Sequence, residues 1–160
     1  MVFRRRQRSE AKDDLRSRTV LRRDGLHILP TMPVLQQILD ECGLVHSIDE
    51  DGDLLVRWEK CSLYFFFYGE RQEVLQARMY LNRRFAVDDR TTVVHMLDDW
   101  NRTRLFPKAY SVLPDDGLVG ICAEQCFDFE VGATREQLKY VVLVWVETLI
   151  RFAEWVDEQV

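Results

Sequence analysis

Histidine and cysteine are scarce in this chain of 160 residues: three of the first (His27, His46, His95) and four of the second (Cys42, Cys61, Cys122, Cys126). Their spacing excludes most side-chain chemistry. His27 and His46 have no partner pattern. His95 has Asp98 and Asp99 at helical distance, but no motif places a hydroxyl or thiol nucleophile beside them, so a surface ion pair is the expected role. Cys122 and Cys126 lie in an alternating segment. On a strand they face the same way about 13 Å apart, too far for one zinc ion or an unstrained disulfide. All four cysteines fall in segments that read as regular structure. No apolar signal segment opens the chain, so free thiols in a reducing cytoplasm are expected.

Glycine is also sparse, seven in all, and none falls in a phosphate-cradling pattern: G-x-x-x-x-G-K-[ST], G-x-G-x-x-G and G-x-S-x-G are all missing. The acidic turn at Asp49, Asp51 and Gly52 faintly resembles a calcium loop, but position twelve would be Trp58 rather than a bidentate glutamate. No apolar run approaches the about 18–20 residues needed to span a bilayer; the most apolar stretch, 140–146, is bracketed by Lys139 and Glu147. No cofactor, metal or catalytic residue is expected, and the chain reads as a binding protein rather than an enzyme.

The charge is unevenly placed. Residues 1–24 hold nine arginines and lysines against four acids, a balance of +5, which leaves −10 on the rest of a chain whose total is −5. The expected organisation is a basic, flexible tail over 1–24 and one domain over 25–160, a length suited to a single core. The tail permits contact with nucleic acid, but its acids dilute it and the acidic body repels phosphates.

The periodicities predict the order α-β-β-β-β-α-β-β-α. Thr31 or Met32, followed by Pro33, starts a helix that Gly43 ends. Strands follow over 44–48 and 54–59 across an Asp-Gly turn, then over 62–68 and 73–82. A second helix covers 88–102, capped by Asp88 or Asp89, with Val93, Leu97 and Trp100 (and Val94) as its apolar stripe. Strands over 109–113 and 118–131 precede a final helix. Thr134 and Gln137 form a capping box at its start, and Leu138, Val141 or Val142, Trp145, Leu149, Phe152 and Val156 mark its core face. Hairpin-linked strands with interspersed helices define an α+β fold, an antiparallel sheet with helices packed on one face.

Two features exceed what one subunit needs. The third strand places Tyr64, Phe66 and Tyr68 on one face and Leu63, Phe65 and Phe67 on the other, where a one-sided sheet should show polar residues. Arg57, Arg78, Tyr80 and Glu124 share the semi-polar face. The final helix is apolar nearly all round, with Tyr140 and Val144 among the residues left outside its core stripe. Tyr64, Phe66, Tyr68, Arg57, Arg78, Tyr80, Glu124, Tyr140 and Val144 form the candidate partner-binding set.

Trp100-Asn101, five residues, then Pro107-Lys108-Ala109-Tyr110 resembles the signature of the YbjN family of bacterial sensory transduction regulators. The flanks agree: Asp51-Gly52-Asp53-Leu54, Trp58, Tyr64-Phe65-Phe66-Phe67 and residues 73–78 upstream; Ala123-Glu124, Phe127-Asp128, Gly132-Ala133-Thr134 and Gln137-Leu138 downstream. The resemblance covers about 30–157. It implies a fold similar to type III secretion chaperones, often homodimeric, and a protein or peptide client. It carries over no catalytic residue. Read on its own terms, the Trp100-Asn101 block marks a helix-to-strand corner: Trp100 buries its ring, Asn101 stops the helix and Pro107 prevents its continuation. A chaperone-like adaptor or regulator is the reading these features favour; a nucleic-acid-associated regulator using the tail, or a small-ligand sensor, are the alternatives.

Overall fold

The computed structural model describes residues 27–159; the basic segment 1–24 lies outside them. The element order is α1 (Met32–Glu41), β1 (His46–Ile48), β2 (Leu54–Arg57), β3 (Cys61–Tyr68), β4 (Val74–Phe85), a 3-10 turn (Val87–Asp89), α2 (Arg90–Thr103), β5 (Lys108–Val112), β6 (Val119–Asp128) and α3 (Arg135–Gln159). The fold is α+β. Six strands form one antiparallel sheet in the order β1-β2-β3-β4-β6-β5.

Local chemistry sets the element ends. Gly43 takes φ +69°, and its N–H binds the Asp40 carbonyl while the Leu44 N–H reaches back to Leu39. This is the paired Schellman closure, which a side chain bearing a Cβ would resist. At the start of α3 the Thr134 hydroxyl accepts the Gln137 N–H at 3.2 Å, and the Gln137 side chain accepts the Thr134 N–H at 3.0 Å. The capping box is thus complete. In the β1–β2 turn, Asp49 Oδ1 accepts the N–H groups of both Asp51 and Asp53, and Gly52 supplies φ +88°.

Two details of α2 differ from expectation. The 3-10 turn takes up Asp88 and Asp89, so the helix starts at Arg90, and Asp89 at the N-cap position makes no side-chain cap bond. Val93, Leu97 and Trp100 are buried, but Val94 is exposed: a stripe of that width cannot fit one shallow contact against the sheet.

Pairing register fixes the faces. Residues opposite one another across antiparallel strands project to the same side. Leu63, Met79, Ala123 and Ala109 form one cross-sheet row, as do Leu54, Phe65, Ala77 and Gln125. These inner rows meet Leu35, Ile38 and Leu39 of α1, Val93, Leu97 and Trp100 of α2, and Leu138, Val142, Leu149, Phe152 and Val156 of α3 in a single apolar cluster. Among the described residues the helices therefore cover one face of the sheet. The other face has no share in this core.

Candidate functional site: the outer face of the sheet

The outer rows carry the side chains singled out from the sequence. Tyr64 on β3 stands opposite Arg78 on β4, which stands opposite Glu124 on β6, which stands opposite Lys108 on β5. The next row is Ser62, Tyr80, Cys122 and Tyr110, and Arg57 pairs with Ser62 from β2. On the other side lie Phe66, Gln76 and Cys126, then Tyr68 and Val74. Tyr64, Phe66, Tyr68, Arg57, Arg78, Tyr80 and Glu124 thus share one surface. Tyr140 and Val144 do not; they are exposed on α3, in the helical layer.

The aromatic rings contact one another. Tyr64 stacks on Phe66 at 5.9 Å and 7°, and meets Tyr80 edge-on at 5.8 Å. Phe66 and Tyr68 are 6.5 Å apart. The Arg78 guanidinium lies 5.3 Å over the Phe66 ring, a cation–π contact, and the Tyr68 hydroxyl donates to Gln76 Oε1 at 3.0 Å. Most of these side chains are half-buried and Tyr68 is exposed, so one partner could touch several at once.

At the centre sits Glu124, only 9% exposed. Its carboxylate accepts Arg78 Nε at 2.8 Å and the Tyr110 hydroxyl at 2.7 Å, and pairs with Lys108 Nζ at 2.5 Å. Burial alone would raise its pKa, but the bonds from Lys108, Tyr110 and Arg78 bring it below the usual carboxylate range. Burial, reinforced by the bonds to Cys122 and Glu124, lifts the Tyr110 phenol well above its ordinary value. The Cys122 thiol donates to Tyr110 Oη at 3.3 Å, and burial raises its pKa too. Arg78, Lys108, Tyr110 and Cys122 are thus joined through the Glu124 carboxylate and the Tyr110 hydroxyl in one network. Among the described residues no buried side-chain nitrogen or oxygen lacks a hydrogen-bond partner.

Toward the β1–β2 turn the aromatic surface opens into a groove of about 410 Å³ lined by Tyr64, Phe66, Tyr80, Ser62 and Arg84, with Asp49, Asp51 and Asp53 at its rim. Desolvation, with the charges of Asp49 and Asp51, raises the pKa of Asp53. A wider depression of about 570 Å³ between the β2–β3 turn and the end of α3 is bridged by Lys60 and Asp157 at 2.5 Å. Its thiol neighbour on β3, Cys61, is pushed up to about 11 by burial and then by Asp157, which leaves it a poor nucleophile at neutral pH. No group of three or more metal-ligating side chains converges among the described residues, and Asp99, proposed beside His95, pairs with Arg102 instead.

Lys108, Tyr110, Cys122 and Gln76 belong to this surface and were not in the partner-binding set expected from the sequence. Alternation in Lys108-Ala109-Tyr110 carries part of the signal, but their meeting with Glu124 depends on a register across three strands distant in sequence.

The corner block occupies another place. Trp100 Nε1–H donates to the Pro107 carbonyl at 3.0 Å, and the ring lies 4.9 Å from both Phe152 and Trp155. Asn101 does not stop α2, which runs on to Thr103. Its side-chain amide instead donates to the Ala109 carbonyl at 2.8 Å and accepts the Ala109 N–H at 3.0 Å.

The acid side of the Glu124 network is testable. A carboxylate with a depressed folded-state pKa contributes stability that is present above its unfolded value, about 4.3, and lost as pH falls through the folded value. The difference in urea midpoint between the parent and Glu124→Gln should be largest near pH 7 and shrink below about pH 4. At neutral pH the substitution should cost about 1–3 kcal/mol, because Arg78 and Lys108 lose their counter-charge at a largely desolvated position.

An antiparallel sheet covered by helices on one face, with a buried polar network and an aromatic surface on the other, defines the α+β architecture of the chain. The chain belongs to the YbjN family: the model of that family, described as "Putative bacterial sensory transduction regulator", matches residues 33–158. Six chains of solved structures match as well. One is the crystal structure of YbjN from E. coli, described as "a putative transcription regulator", which aligns at a TM-score of 0.70 with 16% identity over 83% of this chain and 96% of that one. That likeness is one of fold. No curated protein sequence matches. No described helix is long and apolar enough to cross a membrane.

Proposed function

We propose that this chain is a non-catalytic protein-binding module, a chaperone-like adaptor or regulator in bacterial signalling or stress response, which holds an extended client segment on the outer face of its sheet and acts in the cytoplasm as a homodimer. The observation that carries this reading is the contiguous ladder of Tyr64, Phe66, Tyr68 and Tyr80 on the face opposite the helices. Tyrosine and phenylalanine dominate contact energies where a partner excludes water, and half-buried rings need little further ordering to bind. The aspartates at the groove rim favour client segments bearing arginine or lysine beside an aromatic or aliphatic anchor. The regulator description of the family agrees with a module that works through a protein partner.

Selection of a displayed random-peptide library on the full chain tests the reading. The selected peptides should be enriched in basic and apolar residues, and their affinity should fall at least about tenfold on the double substitution Tyr64→Ala, Phe66→Ala, with folding checked by circular dichroism. Peptides that bind the double variant as well as the parent would remove the sheet face from consideration.

A further inference from the structure

The outer stripe of α3 carries a pattern that the sheet face does not explain. Tyr140, Leu143 and Val144 are 70%, 41% and 36% exposed, while their neighbours Leu138, Val142, Trp145 and Leu149 are buried in the core. Glu136 lies one turn before this apolar strip; Glu147 and Arg151 lie beyond it, all exposed. At 3.6 residues per turn, the six side chains at 136, 140, 143, 144, 147 and 151 fall within an arc of about 100°. One continuous strip of the helix therefore faces solvent: over residues 136–151 it runs from the acid Glu136 through Tyr140, Leu143 and Val144 to Glu147 and the base Arg151, and the acid Glu154 lies one turn further on.

We infer that this strip is the contact surface between two copies of the chain, with their α3 helices antiparallel about a two-fold axis between Leu143 and Val144. The inference rests on the homodimer contained in the reading above and adds its geometry. A two-fold contact must be complementary to itself, each residue meeting the one that mirrors it about the axis. Reflection about that point places Leu143 and Val144 against their own copies, Tyr140 beside the partner's Glu147, and Glu136 beside the partner's Arg151. Acid meets base twice, and the Tyr140 hydroxyl gains a carboxylate acceptor. A parallel arrangement would set Glu136 against Glu136 and Arg151 against Arg151.

The surrounding charges leave these groups available. Arg135 and Lys139, the basic residues nearest Glu136, are both engaged by Glu41 of α1, at 2.5 and 3.3 Å. Glu136 itself has no ion-pair partner among the described residues. Arg151 contacts Glu147 of its own helix at 2.5 Å, an exposed i,i+4 pair that can extend to a second carboxylate without being broken. The apolar strip is short beside the about 800 Å² per partner of a standard stable interface, so the pair should dissociate in the micromolar range.

Sedimentation equilibrium on the full chain tests this directly. Glu136→Arg and Arg151→Glu should each raise the dimer dissociation constant about tenfold or more, since each turns two attractions into two repulsions. The double variant, which reverses both charges and so restores the match, should return to within about threefold of the parent. Leu143→Cys provides a second reading: under mild oxidation it should form a disulfide-linked dimer, because the two thiols sit across the axis. Glu154→Cys, on the same strip but about 31 Å from its copy, should not exceed the background of the unsubstituted chain. A parent dimer unaffected by the three charge variants would overturn the surface while sparing the homodimer. A parent that remains monomeric to high micromolar concentration would overturn both. Failure of the double variant to recover would also refute the antiparallel pairing.

Discussion

Trp145→Asp should unfold the domain or bring it close to unfolding. The ring lies against the core from the middle of α3, among Val142, Val146 and Leu149. Truncating a buried tryptophan costs about 3–5 kcal/mol, and the carboxylate left in its place adds a desolvation penalty of at least a few more. A domain of this size has a total stability of about 5–15 kcal/mol, so the loss consumes most or all of it. Urea unfolding followed by circular dichroism, with Trp145→Phe as a milder companion, measures the effect. A midpoint for Trp145→Asp within the error of the parent would mean that α3 does not pack as described.

Trp100→Ala should produce the second largest loss, about 4 kcal/mol, from two separable sources. The ring fills the angle between Phe152 and Trp155 of α3, and its removal leaves a cavity that these two aromatics cannot close without moving. The indole N–H also satisfies the Pro107 carbonyl, which loses that partner, adding about 1 kcal/mol. Trp100→Phe separates the two, because it restores much of the packing without the donor and should recover more than half of the loss. Equal midpoints for the Phe and Ala variants would assign the whole effect to the hydrogen bond and contradict the cavity argument.

Much of the fold could be read in advance because its signals are local. The capping box at Thr134 and Gln137 needs three residues of separation, the Gly43 closure needs five, and the alternation of residues 63–68 needs only a period of two. The misses have the opposite character. β4 runs three residues past its expected end at Asn82 because a register shift between Tyr80 and Arg84 breaks the alternation and lets the strand resume. Asn101 looked like a helix stop because asparagine commonly is one; its true bonds lie on a strand eight residues later, where no helical rule applies. The candidate surface divides in the same way. Tyr64, Phe66 and Tyr68 were visible together since they share one strand. The links among Arg78, Glu124, Tyr110 and Lys108 come from the β4–β6–β5 pairing, and residues 46 positions apart give no local sign that they touch.

The side-chain amide of Asn101 also bears on how the molecule avoids sticking to itself. β5 is the last strand of the sheet, and an unprotected border strand offers its peptide groups as a template for another chain. At Ala109 both of those groups are already taken by an amide that mimics a passing peptide. The opposite border, β1, is three residues long and ends in a turn crowded with aspartates, which repel one another's approach. Each margin of the sheet thus carries its own obstacle to edge-to-edge growth, a side-chain amide at Ala109 on one border and a short, acid-flanked strand on the other, while the broad surfaces between them stay open.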